Sequence, residues 1–209
     1  MYGYVLEGAW YDVGTPKTYL DTMLKVLRSA SNILYFGEPL SFRRSLSTSR
    51  KFFYHGEPPI ELPDAGKAWI QGQSPESIRR KDEILDKIRG GTIKLEGHVL
   101  IGRHCQIGEG TIIRDSCIDN FCIIGNEVTI ERSAVLDRVL MGDGTTIQDS
   151  IIGRHANIKS SKSDPTWIMG FTVIGDDATI GKGSVMTSSK IFPHKVIPDG
   201  RNIANQTIE

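Results

Sequence analysis

The sequence predicts a mainly β protein, a triangular coil of parallel strands about five turns long, preceded by a short α-helical and irregular N-terminal region. Three observations predict it. From Ile101 the aliphatic residues recur at steps of six, six and five, through Ile107, Ile113, Ile118, Ile124, Ile130, Val135, Met141, Ile147, Ile152 and Ile158. Gly often follows directly, as at Gly102, Gly108, Gly125, Gly142 and Gly153. The residues before about 90 lack this period and carry two helix-start signals instead.

Only 18 of the 58 residues from 101 to 158 are Ile, Leu, Val or Met, so filling all eleven of those positions is not a chance outcome. A six-residue unit with one large inward side chain and a Gly that turns the chain describes one side of a triangular coil. Three sides make a turn, and turns stack at roughly 4.8 Å. The residue four places after each aliphatic is small or apolar, including Cys105, Thr111, Cys117, Cys122, Ala134 and Ile151, and is expected to point inward. Asp115, Arg132 and Asp149 are expected to stack outside with alternating sign, with a hydroxyl ladder of Ser116, Ser133 and Ser150 beside them. Such exposed ion pairs contribute at most about 1 kcal/mol each.

Along the chain, Thr15 and Pro16 cap and open a helix from about 16 to 30, with Tyr19, Leu20, Met23, Leu24 and Leu27 as its apolar stripe. An irregular Pro- and Gly-rich region runs from Phe36 to Gln73. Ser74, Pro75 and Glu76 start a second helix, about 75–89, which stops at Gly90 and Gly91 and is expected to cap the first coil. Coils follow from 91. Asp164 and Pro165 cannot fill a buried column, which predicts a loop over about 159–173 containing Trp167. The pattern resumes from Ile174 to Met186 and is followed by a tail.

Lys plus Arg and Asp plus Glu both number 25, and this zero net charge argues against nucleic acid or an anionic membrane as the main partner. No apolar run approaches the roughly 20 residues of a membrane span. The opening M-Y-G-Y-V-L-E-G lacks a basic, then apolar, signal, so a cytoplasmic location is expected. Cys105, Cys117 and Cys122 have neither disulfide-framework nor zinc spacing. Cys105 and Cys122 fall one period apart, close enough for a disulfide, although small-residue packing suffices to explain them. Of His55, His98, His104, His155 and His194, the pair His104 and His155 is three periods apart, on one exposed column with Phe121 and Arg138 between them. Their separation of about 14 Å excludes a shared metal.

The repeat resembles the hexapeptide-repeat family, whose coils form a left-handed parallel β-helix. Gly8 to Leu20, reading G-A-W-Y-D-V-G-T-P-K-T-Y-L, resembles the closing segment of the nucleotidyltransferase domain in sugar-1-phosphate nucleotidylyltransferases such as glucose-1-phosphate thymidylyltransferases and mannose-1-phosphate guanylyltransferases. The resemblance implies that residues 1–31 close such a domain, 32–90 form a linker and 91–209 form the β-helix. It implies that Asp12 helps hold Mg²⁺ near the sugar phosphate, as suits a hard cation. It further implies a β-helix that assembles homo-oligomers and has regulatory roles. The family's Gly-rich nucleotide loop is not among these residues, so no catalytic residue is assigned, and nucleotide and sugar phosphate are expected only with that domain supplied. The alternative is a hexapeptide-repeat acyltransferase using acyl-CoA and a His base, although no His here has the usual Gly-His-Pro setting.

Overall fold

The computed structural model describes residues 13–29 and 59–209. They form two helices, α1 (Pro16–Ser29) and α2 (Pro75–Arg89), and a left-handed parallel β-helix of about seven coils. Seven, rather than five, reflects coils at both ends. Upstream, Lys67–Ile70 already pairs in parallel with Lys94–Ile101, within the stretch expected to be irregular. Downstream, Ile191, Ile197, Ile203 and Ile208 keep the same six- and five-residue steps, so the expected tail is more β-helix.

Each coil has three faces, and equivalent residues stack in register. Ile113, Ile130 and Ile147 fill the first interior column, Ile118, Val135 and Ile152 the second, and Ile124, Met141 and Ile158 the third. All nine are at most 4% exposed, so the large-residue columns are the core. A Cβ on Gly108 would overlap the backbone of Gly125 in the next coil, so this corner admits no side chain.

The inward small residues follow a simpler rule than expected: each stands two places before the large one. Where the step is six the two rules coincide, as at Cys105, Thr111 and Cys122. Where it is five, Ser116, Ser133 and Ser150 are fully buried, and Cys117, Ala134 and Ile151 point out of the coil. The serine ladder is therefore internal. Outside it, Arg132 grips Asp149 with two bonds, Nε to Oδ1 at 2.7 Å and Nη2 to Oδ2 at 2.8 Å.

The expected loop is also shorter than 159–173. From Ile158 to Ile168 the step is ten, closed by a turn in which the Asp164 N–H donates to the Ser161 carbonyl at 3.1 Å. The chain then re-enters the first face at Trp167–Met169, with Ile168 fully buried in register with Ile147. Trp167 stands on a strand.

Both helices form where their caps predict. The Thr15 hydroxyl accepts the Thr18 N–H at 3.1 Å, and the Ser74 hydroxyl accepts that of Ser77 at 3.2 Å, reciprocated by the Ser77 hydroxyl. Buried Ile84 turns α2 onto the first coils, as its capping role requires.

Candidate functional site

The outward residues of the second face, Leu100, Cys117, Ala134, Ile151 and Val173, share one register and make an apolar strip on the outside of the coil. α1 covers it. Leu20, Met23, Leu24 and Leu27 fall at helical spacing, which places them on one side of the helix. Leu20 packs with Ala134 and Ile151, and Leu27 with Trp69, each at 4% exposure.

Polar contacts fix the direction of the helix. At its start the Lys17 ammonium lies 5.5 Å from the centre of the Phe171 ring. At its end Arg28 reaches Asp115, Nη2 to Oδ2, at 3.4 Å. α1 therefore runs from a late coil back to an early one. Asp115 also accepts the His98 N–H at 3.0 Å, and His98 stacks on Trp69. The far end of the helix thus sits on a small connected cluster.

Under the helix, burial and then the Asp119 charge push the Cys117 thiol up to about 12. Burial likewise raises Tyr19, with Cys117 adding to it. Asp119 is raised by burial, and Asp137 adds to it while the Asn120 N–H opposes. Covered by the helix and raised by burial, this thiol serves as a small packing group.

Asp12 and His55 lie outside the described residues. His104 and His155 stand on one corner column with Phe121 and Arg138, as the period requires. The imidazole of His104 stacks on Phe121 at 4.8 Å, and the Arg138 guanidinium lies 5.1 Å from that ring. All four corner residues have φ between 57° and 60°, and the N–H of each of the last three donates to a carbonyl one coil back. This is the work of a turn. Cys105 and Cys122 are free thiols, each donating to a carbonyl of the next coil, Cys105 to Asp119 at 3.0 Å and Cys122 to Leu136 at 3.1 Å. No group of three or more His, Cys, Asp or Glu able to hold a metal occurs among the described residues. Sequence reasoning missed the apolar strip because it placed Cys117, Ala134 and Ile151 inside; the five-residue step was the available signal.

Fold and site define a parallel β-helix that carries a helix strapped along one face. The chain belongs to the GMPPB C-terminal domain family, whose model matches residues 95–208. It is 24% identical over 209 aligned residues to the glucose-1-phosphate adenylyltransferase of Fervidobacterium nodosum, covering 95% of this chain and 43% of that protein. It is 31% identical over 104 residues to the probable mannose-1-phosphate guanylyltransferase 3 of Oryza sativa subsp. japonica, covering 48% and 27%. Against the bifunctional protein GlmU of Pseudoalteromonas atlantica the figures are 23% over 187 residues, 80% and 41%. The chain thus spans less than half the length of these relatives. Among solved structures, the acetyltransferase domain of PglB from Neisseria gonorrhoeae FA1090 aligns with 62% of this chain and 64% of its own, at 16% identity and a TM-score of 0.41. That overlap is too slight to carry a functional argument.

Proposed function

We propose that this chain is the C-terminal region of a sugar-1-phosphate nucleotidylyltransferase, which joins a nucleoside triphosphate and a sugar 1-phosphate into a nucleotide sugar and pyrophosphate. The observation that carries the reading is the seating of α1, the helix entered directly from the G-T-P segment, on Cys117, Ala134 and Ile151. A helix leaving a nucleotidyltransferase domain and held on this face fixes that domain to the β-helix. The family match and the alignment with the adenylyltransferase over 95% of this chain support it.

In this reading Asp12, four residues before Pro16, offers a carboxylate to Mg²⁺. An ion held by Asp12 would supply charge neutralisation at the phosphate oxygens. The β-helix supplies the surface on which copies associate. The first face has no described helix on it, and there Trp167 stays 42% exposed, in register with Val185. A cytoplasmic location belongs to this reading; separately, no described helix is long and apolar enough to cross a membrane.

The test is to express the gene with any upstream frame it carries and assay panels of nucleoside triphosphates and sugar 1-phosphates. Mg²⁺-dependent nucleotide-sugar formation, reduced at least a hundredfold by Asp12→Asn, is expected. Acyl transfer from acetyl-CoA with no nucleotide sugar formed would overturn the reading.

A further inference from the structure

α2 does not close flush on the third face. Between them lies a cleft of about 230 Å³, lined on the helix side by Arg80, Glu83, Ile84 and Lys87 and on the coil side chiefly by Gln106 and Ile123. The helix residues follow from spacing: 80, 83, 84 and 87 share one side of an α-helix.

Its two walls differ in chemistry. Lys87 spends one of its three donors on the Ile107 carbonyl at 2.6 Å, which fixes the ammonium at the cleft wall and leaves two donors. Glu83 is held by Arg80 at 2.9 Å and by Arg79 at 3.9 Å. Two arginines therefore share one carboxylate, and the lining keeps a net positive charge beside Lys87. The apolar part of the coil wall is Ile123, which is 44% exposed.

A bare anion would answer the cations and leave Ile123 in water. An uncharged apolar ligand would cover Ile123 and strip water from Lys87 with nothing in return. The volume falls short of the roughly 300 to 1,000 Å³ typical of sites for drug-sized ligands. We propose that this cleft binds a small organic anion, a carboxylate or phosphate ester on an apolar body of about one ring, with its charge on Lys87 and Arg80 and its body on Ile123. The site lies between α2 and the β-helix and does not depend on the nucleotidyltransferase reading.

The experiment is a methyl-NMR titration of the full chain, labelled at isoleucine, with phenyl phosphate; inorganic phosphate and phenol are separate arms. Saturable shifts at Ile123 and Ile107 are expected with phenyl phosphate, and binding at least tenfold weaker in both other arms. Lys87→Met should weaken phenyl phosphate tenfold or more. Ile123→Glu, a change at an exposed position that leaves the core intact, should abolish the shift at Ile107. Equal binding of inorganic phosphate would reduce the cleft to a simple anion site and overturn the proposal. So would absence of saturation at millimolar phenyl phosphate, or unchanged binding in the Ile123→Glu chain.

Discussion

The Ser116 hydroxyl accepts the backbone N–H of Ser133 at 3.0 Å and donates to the Arg114 carbonyl at 2.6 Å, so one buried side chain serves two backbone groups from successive coils. The relationship repeats. Ser133 takes the Ser150 N–H, Ser150 that of Thr172, Thr172 that of Ser189 and Ser189 that of Gln206. In the coils of Ser116, Ser133, Ser150 and Ser189 the step at this corner is five and the turn is tight, with Asp115, Arg132 and Asp149 at φ of 43° to 48°. The strand ladder is interrupted there, and the hydroxyls substitute for it.

Replacing Ser133 by Ala strands the Ser150 N–H inside the coil, and an unmet buried donor costs about 1 to 3 kcal/mol. Urea unfolding should show a loss of that size. Ser133→Thr keeps the hydroxyl and should recover part of it.

The seating of α1 is testable through the thiol beneath it. In the intact chain Cys117 should resist iodoacetamide at pH 8. Leu20→Ala removes a side chain that is 4% exposed from the helix contact, a change that typically costs about 2 to 5 kcal/mol in a well-packed site. The cost here should appear as local release of α1, with one alkylated cysteine, mapped to Cys117, and little change in the melting of the coils.

The same contact should weaken in alkali. Cys117 titrates near 9 when exposed and near 12 when covered, so the neutral thiol favours the docked state. That stabilisation is complete below about pH 9 and is lost as pH rises towards 12. Tyr19, raised in the same direction, adds to the loss. The spectroscopic signal of helix release should follow this window, and Cys117→Ala should flatten part of it.

Much of this architecture was legible in the chain. The interior columns followed from steps of six, six and five because the large inward positions pack against one another and leave a polar side chain no partner. α1 and α2 followed from Thr15-Pro16 and Ser74-Pro75, since a cap and an N1 proline are local signals. The short step misled the inward assignment: it shortens the turn, so Ser116 rather than Cys117 faces in. Trp167 was hidden by the insertion before it, where Asp164 and Pro165 leave the coil and only Ile168 marks its return. α1 on the second face was legible only in part, since its apolar stripe was plain and its partner was not. The site of Asp12 depends on residues beyond those described, so no repeat in the coils points to it.

Ile123 and Ile124 are neighbours in one strand, 44% and 2% exposed. The most direct test of the coil is to place lysine at each and follow far-ultraviolet circular dichroism through thermal melting. Ile124→Lys should fail to fold or should melt tens of degrees lower, because an unpaired charge enters the column between Ile107 and Met141. Ile123→Lys should melt within a few degrees of the parent. Equal tolerance at both positions would contradict the stacked coil.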